Sequence, residues 1–266
     1  MTLKIYLIPK QGIGETVENL VETTRPIAIC HEYAKLFSKL LANRLSLILA
    51  NHKVLHPAQQ AFIKNGSINH CIITLLNIFE DAKQKREGYY SDLYFIAYDF
   101  KKAYDSIQYY SLRPTLERFN LPEKFIQIIE NIQSSLSASI KTFHGLTESF
   151  MIENSLRQGD PLAPLIFVLF TDVLHEGLSK SPLYLDQGEP MRGGYRFLSN
   201  DTRISSLGFA DDLGIVAESW PCLFAMHEWV REFISVHGGD LNTKKTSYIA
   251  QPEDDRWLRF GRSTVL

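Results

Sequence analysis

Three aspartates from two separate parts of the chain could together hold a divalent cation. Asp211 and Asp212 follow Phe209-Ala210, and apolar residues on both sides of this stretch predict a β-hairpin with the acids at its tip. Asp99 ends a very apolar run of strand length, residues 93–98. Carboxylates held close repel each other, so a fold that gathers them usually supplies a cation. The alternative is a solvated Asp-Asp turn, because Asp is a common turn residue.

The chemistry available to such a site is phosphoryl transfer. If the Asp99 strand neighbours the hairpin, three carboxylates can hold two divalent cations about 4 Å apart, which clamp the attacking and leaving oxygens. Magnesium prefers carboxylate oxygens and substrate phosphates to imidazole or thiolate. The absence of His and Cys next to these aspartates in the sequence therefore favours Mg²⁺, with Mn²⁺ as the alternative ion.

Composition limits the class of protein. The chain has 266 residues, 45% hydrophobic and 22% charged, which suits one globular domain or one domain with two lobes. Its formal net charge is −2, so any nucleic-acid contact must rest on local basic patches. The 3 cysteines are far apart and form no Cys-x-x-Cys, which argues against a disulfide framework or a zinc knuckle. We expect an intracellular protein, nuclear or cytoplasmic and not secreted, without a membrane partner.

The elements that must position the aspartates follow from periodicity. The order of apolar patterns predicts an α+β fold, an antiparallel sheet with helices on one face. The continuous apolar run before Asp99 is typical of a central strand covered on both faces. Predicted strands cover residues 3–8, 25–29, 93–98, 138–143, 149–153 and 246–250 as well as the aspartate hairpin, and predicted helices cover 31–51, 68–86, 112–119, 122–134, 161–178 and 222–236.

Six motifs in order carry a resemblance to a known family. They are Leu7-Ile8-Pro9-Lys10 with Arg25-Pro26-Ile27, residues 37–45, Tyr98-Asp99-Phe100 continuing to Ser106, Arg157-Gln158-Gly159-Asp160-Pro161-Leu162, Phe209-Ala210-Asp211-Asp212, and Asn242-Thr243-Lys244-Lys245-Thr246. The chain resembles, over nearly its whole length, the reverse transcriptase domain of non-LTR (LINE-type) retrotransposons. The resemblance implies RNA-directed DNA synthesis from deoxynucleoside triphosphates, with an RNA template and a DNA primer as partners.

The resemblance also implies an architecture. It is the core of a right-hand polymerase, with fingers at residues 1–92, a palm at 93–250, a fingers-like helical insertion at about 107–135, and a truncated tail at 251–266. The palm would be the antiparallel sheet backed by helices, the fingers would be mostly helical, and the thumb that grips the primer–template duplex would be absent.

Roles for individual residues follow from the same resemblance. Asp99, Asp211 and Asp212 would be the catalytic metal ligands, together with Phe100. Lys245 would be a candidate proton donor to pyrophosphate, with a surface lysine in a turn as the alternative.

The nucleotide site implied by the resemblance draws on five further residues. Lys10 and Arg25 would grip the triphosphate, since cationic donors stabilise the charge that builds on the leaving group. Tyr104 would lie under the incoming sugar and exclude a ribose 2′-hydroxyl, with a core aromatic as the alternative. Gln158 would hydrogen-bond near the nucleotide, and Gly159 would let the backbone approach it closely.

The chain departs from the family in one loop, where Ala61-Phe62 is followed by Gly66 instead of the usual arginine. Two rival functions stay open on the sequence alone. One is a truncated, catalytically impaired retroelement remnant that acts at most as a weak RNA-binding module. The other is a polymerase that uses ribonucleotides, which Tyr104 argues against.

Overall fold

A computed structural model describes most of the chain. The described residues are 2–9, 24–83, 92–134, 137–152, 156, 159–180, 182–184, 190–197, 199–200, 202–251 and 259–262. Within them the helices are α1 (Glu32–His52), α2 (Ile68–Lys83), α3 (Ala103–Ser106), α4 (Leu112–Arg118), α5 (Glu123–Ser134), α6 (Ala163–Lys180) and α7 (Trp220–Val236), with a 3₁₀ turn at Tyr109–Ser111. The strands are β1 (Thr2–Pro9), β2 (Thr24–Ile29), β3 (Leu93–Asp99), β4 (Ser137–Thr142), β5 (Gly145–Leu146), β6 (Phe150–Met151), β7 (Pro182–Tyr184), β8 (Pro190–Arg192), β9 (Tyr195–Arg196), β10 (Arg203–Ile204), β11 (Ser206–Phe209), β12 (Asp212–Ala217), β13 (Ser247–Gln251) and β14 (Arg259–Arg262).

The chain divides into two compact units. The first comprises residues 1–51 and 104–167, and the second comprises residues 52–103 and 168–266. The sequence-based limits at 92 and 250 concern functional subdomains of a polymerase, and they stay a prediction. Within the described residues, no helix is long and apolar enough to cross a bilayer.

The first unit is built on a small sheet. Strands β1 and β2 pair in antiparallel fashion with Ile8 opposite Arg25, which confirms the two strands predicted at the start of the chain. Strand β1 also pairs with β4 in parallel, an arrangement that the sequence did not indicate. Leu3 of β1 and its partner Ala138 of β4 are fully buried and form a small apolar core.

The second unit contains the sheet that carries Asp99. Its strand order is β11–β12–β3–β13–β14, and each neighbouring pair is antiparallel, as predicted. Strand β3 lies in the middle, in agreement with its continuous apolar pattern. The fifth strand, β14, comes from the segment predicted as a tail.

Helices cover both faces of β3. Successive side chains of a strand point to opposite faces. Phe95 belongs to the apolar cluster of Ile78 in α2, whereas Tyr98 donates or accepts a hydrogen bond at 2.8 Å with Nδ1 of His227 in α7. The expectation of helices on one face of the sheet is therefore wrong, since α2 and α7 lie on opposite faces.

Helix α6 supports the hairpin strand β11 through a buried histidine. Asp160 Oδ1 accepts the Leu162 N–H at 2.9 Å in the turn just before the helix, which begins at Ala163 and not at the predicted residue 161. His175 of α6 is 1% exposed, and its Nδ1 lies 2.9 Å from Ser206 Oγ of β11. Burial, followed by the charge of the neighbouring His56, lowers the pKa of His175 from 6.5 to about 3.

This lowered pKa predicts acid sensitivity. Folded His175 stays neutral down to about pH 3, whereas the unfolded side chain takes up a proton below pH 6.5. Stability from this residue is thus complete above pH 6.5 and is lost as the pH falls, at about 1.4 kcal/mol per pH unit. Urea unfolding should give a free energy of unfolding about 2 kcal/mol lower at pH 5 than at pH 7 from His175 alone. His175→Asn should make the free energy of unfolding depend less steeply on pH, whereas the exposed control His144→Asn should not. Equal pH dependence in both variants would contradict this role of His175.

Candidate active site

The aspartate hairpin lies directly beside the strand that ends in Asp99. Phe209 pairs with Asp212, so the hairpin turn consists of only Ala210 and Asp211. Asp212 is in turn the antiparallel partner of Asp99 in the pairing of β12 with β3. Directly opposed residues share a face of the sheet, with Cβ atoms about 5 Å apart. The register thus brings the chain positions of Asp99, Asp211 and Asp212 to one end of one sheet, whereas the meeting of their three carboxylates in one metal site stays a prediction.

This arrangement concentrates negative charge. The pKa of Asp212 is raised above its usual value, first by burial and then by the charges of Asp211 and Asp99. Like charges directly opposed across two strands destabilise a sheet. Bound cations or hydrogen-bond donors at this end of the sheet would therefore be favourable.

The Asn242–Lys245 turn supplies such donors to Asp99. Asn242 Nδ2 donates to Asp99 Oδ2 at 2.8 Å, and the Asn242 backbone N–H donates to the Asp99 carbonyl oxygen, also at 2.8 Å. Lys245 Nζ lies 3.6 Å from Asp99 Oδ1, with side chains 68% and 37% exposed respectively. Asn242 was not predicted as a site residue, although it belongs to one of the family motifs. Its partner Asp99 lies 143 residues earlier in the chain, so no local pattern indicates the contact.

The donor chemistry fits a hard divalent cation, since carboxylate oxygens are the ligands available. Within the described ranges, however, no three His, Cys, Asp or Glu side chains converge into a closed metal site. The Asp99 carboxylate is held by Asn242 and Lys245 instead. The backbone of Phe100 forms an antiparallel bridge with Leu241, next to this turn. Metal binding by Asp99, Asp211, Asp212 and Phe100 stays a prediction.

The first unit holds the described part of the predicted nucleotide site. The Tyr104 ring stacks on the Phe167 ring, with centroids 4.7 Å apart and planes at 20°. Gly159 has a φ of +104°, and a Cβ added there would lie 3.1 Å from the carbonyl oxygen of Ala28 in β2. The close backbone approach that needs this glycine is therefore to β2.

The other predicted nucleotide contacts are described only in part. Lys10 and Gln158 lie outside the described residues, and of Arg25 the structure describes the backbone in β2 alone. The stacking of Tyr104 is compatible with both of its predicted readings, a floor for the sugar and a core aromatic. These roles stay predictions.

Comparison with known proteins gives one family over most of the chain. Residues 8–260 match the family model described as reverse transcriptase (RNA-dependent DNA polymerase). The "Retrovirus-related Pol polyprotein from type-1 retrotransposable element R2" of Popillia japonica is 27% identical over 93% of this chain and 32% of its own length. The "Transposon TX1 uncharacterized 149 kDa protein" of Xenopus laevis is 24% identical over 91% of this chain and 17% of its own length. The chain thus spans about a third or less of these relatives.

Solved structures show the same fold at low sequence identity. Telomerase from Candida Tropicalis, solved in complex with a TWJ fragment of telomeric RNA, matches 95% of this chain and 41% of its own with a TM-score of 0.66 at 15% identity. The apo form from the same organism matches 95% of this chain and 45% of its own with a TM-score of 0.64 at 13% identity. The mixed α/β fold is therefore like that of these telomerase chains. With a family model covering residues 8–260 and aspartates opposed at the end of the sheet, this chain belongs to the reverse transcriptase (RNA-dependent DNA polymerase) family.

Proposed function

We propose that this chain catalyses RNA-directed DNA synthesis, in which a primer 3′-hydroxyl attacks the α-phosphorus of a deoxynucleoside triphosphate and pyrophosphate leaves. The observation that carries the proposal is the register that sets Asp212 opposite Asp99 beside the Asp211 turn. The RNA complex of the telomerase neighbour supports RNA as the template. A DNA primer and a deoxynucleoside triphosphate are the two reactants of the proposed reaction.

The sheet of the second unit would be the palm of this polymerase. Its aspartates would hold two Mg²⁺ ions, which supply charge neutralisation at the reacting phosphate. Asn242 would keep the Asp99 carboxylate oriented by its hydrogen bond. Lys245, close to Asp99 and largely exposed, would provide a proton near the leaving pyrophosphate.

The residues that the family resemblance assigns to the nucleotide would bind it. Tyr104 would present its ring to the sugar and exclude a 2′-hydroxyl, while Gln158 and Gly159 would line the same nucleotide. Lys10 and Arg25 would pair with the triphosphate oxygens. The assignment of residues 1–92 to the fingers and an intracellular location are parts of the same proposal.

A weak RNA-binding remnant is the second candidate. The observation that favours it is the loop in which Ala61-Phe62 is followed by Gly66 instead of the arginine usual in the family. Such a module would bind RNA through phosphates, with strong salt dependence, and would show no turnover.

Asp211→Asn separates the enzyme from the module. The substitution removes one negative charge at the turn while it keeps the size of the side chain, so primer extension on poly(rA)/oligo(dT) with Mg²⁺ should fall by about a hundredfold or more. Glu232→Gln, an exposed acid of α7, serves as the matched control and should extend like the wild type. RNA binding without extension in every variant would establish the module instead.

Tyr104→Ala tests the sugar gate. With the ring removed, room opens for a 2′-hydroxyl, and the ratio of ribonucleotide to deoxynucleotide incorporation should rise by about tenfold or more, as expected when a steric contact sets discrimination. Single-nucleotide extension with each nucleotide type measures the ratio. Tyr110→Ala, at a tyrosine that is 62% exposed, should leave it unchanged. An unaltered ratio in Tyr104→Ala would assign this ring to the core.

Lys245→Met tests competition between the ammonium group and a divalent cation at Asp99. An exposed ion pair contributes at most about 1 kcal/mol, so removal of the lysine should tighten Mn²⁺ binding by up to about fivefold. Electron paramagnetic resonance titration of free Mn²⁺ measures the affinity without any need for turnover. Lys244→Met, at the exposed neighbouring lysine, should leave the affinity unchanged. Weaker Mn²⁺ binding in Lys245→Met would contradict the competition.

A further inference from the structure

One fully buried glutamine is hydrogen-bonded to the turn of the aspartate hairpin. Gln59 is 0% exposed. Its Oε1 accepts the Ala210 N–H at 3.1 Å, and its Nε2 donates to the Ala210 carbonyl oxygen at 3.4 Å. The same amide accepts the Ala61 N–H at 3.0 Å and donates to Thr171 Oγ1 at 3.4 Å. Since an amide has two donor hydrogens and two acceptor lone pairs, the whole capacity of this side chain is in use.

The residue that Gln59 holds has an unfavourable backbone conformation. Ala210 is the first of the two turn residues and has a φ of 57°, in the left-handed region that favours glycine. A non-glycine residue stays in that region only where its surroundings fix it. Gln59 contacts both polar backbone groups of Ala210, so its amide provides that constraint.

The backbone on either side of Gln59 is itself fixed to strand β11. Gly208 N–H donates to the Ala58 carbonyl oxygen at 2.9 Å, and Gln60 N–H donates to the Gly208 carbonyl oxygen at 2.9 Å, which makes a parallel bridge between Gln59 and Gly208. A Cβ at Gly208 would lie 2.6 Å from Nε2 of His175, so there is room only for glycine there. The amide therefore reaches Ala210 from a rigid support.

We propose that Gln59 is a positioning residue, which fixes the Ala210–Asp211 turn so that Asp211 and Asp212 are presented beside Asp99. Its amide acts on the backbone of the turn and touches no reacting group. The inference rests on the proposed polymerase function for its kinetic consequence, whereas its structural consequence is independent of turnover. Residues that orient metal ligands typically contribute about 10- to 100-fold to metal affinity or activity.

The test compares two buried glutamines of the 266-residue chain. Gln59→Met keeps the length of the side chain and removes all four hydrogen bonds. Gln133→Met is the matched control, because Gln133 is 1% exposed and its side-chain nitrogen and oxygen have no hydrogen-bond partner among the described residues. Both variants bury a methionine in place of an amide, but only the first loses contacts with the hairpin turn.

Two measured quantities should change in Gln59→Met but not in Gln133→Met. Hydrogen–deuterium exchange of the Ala210 amide, followed in peptides that cover residues 208–213, should become about tenfold faster or more, because its acceptor is gone. In primer extension at a temperature where circular dichroism shows the variant folded, kcat should fall by about 10- to 100-fold. The KM for the deoxynucleotide should stay within about twofold, since the hydrogen bonds of the Gln59 amide among the described residues go to Ala61, Thr171 and Ala210.

The possible results separate the two levels of the proposal. Unchanged exchange at Ala210 together with an unchanged kcat in Gln59→Met overturns the positioning role, as does an equal fall of kcat in Gln133→Met. Faster exchange in a chain whose wild type shows no extension supports the positioning of the turn and overturns the polymerase function. A fall in thermal stability with normal kcat reduces Gln59 to a structural residue and also overturns the inference.

A second background keeps the test valid if Gln59→Met unfolds at the assay temperature. Glycine adopts a positive φ at no steric cost, so Ala210→Gly should relieve the strain that Gln59 offsets. Gln59→Met should then lower the melting temperature less in the Ala210→Gly background than in the wild type, while kcat still falls relative to Ala210→Gly alone. An equal loss of melting temperature in both backgrounds, which means no coupling, overturns the proposal.

Discussion

The opposition of two like charges at Asp212 and Asp99 is the constraint on which the rest of the second unit depends. Such a pair weakens a sheet unless donors or cations neutralise it. Strand β3 lies between β12 and β13. Its neighbour β12 contributes Asp212, and the turn that precedes β13 contributes Asn242 and Lys245. A central position for β3 is thus what allows one carboxylate to meet both a like charge and the groups that offset it.

Rigidity around this charge cluster comes from helices packed against both faces of the sheet. Phe95 and Tyr98 anchor opposite faces of β3 against α2 and α7. One face of α6 then supports the hairpin, through Thr171 with Gln59 and through His175 with Ser206 one turn further on. The repulsion at the end of the sheet therefore acts on a backbone that cannot relax by moving apart, which is the condition for a preorganised cation site.

Local patterns in the sequence predict most of the helices and strands. Contacts between residues far apart in the chain cannot be predicted from such patterns. The run before Asp99 and the apolar stretches around Asp211 were sufficient for β3 and the hairpin, because their signals are periodic and short in range. Gln59 lies between the predicted helices 31–51 and 68–86, where no local pattern indicates a role, and its contact with Ala210 joins residues 151 positions apart. The parallel pairing of β1 with β4 and the strand in the predicted tail were missed for the same reason. The roles proposed for the nucleotide-binding residues follow from the family resemblance, which no periodicity could supply.

The loop in which this chain departs from its family has a physical explanation in the same network. A Cβ on Gly66 would already lie 2.1 Å from the carbonyl oxygen of Gln60, so the turn has no room for an arginine at that position. The Ala61 N–H is taken by the Gln59 amide, and Phe62 and Asn65 both have positive φ. The loop is thus folded tightly onto the residue that holds the aspartate turn. Its geometry supports Gln59, and under the proposed function a cationic contact with template phosphates would come from another part of the protein.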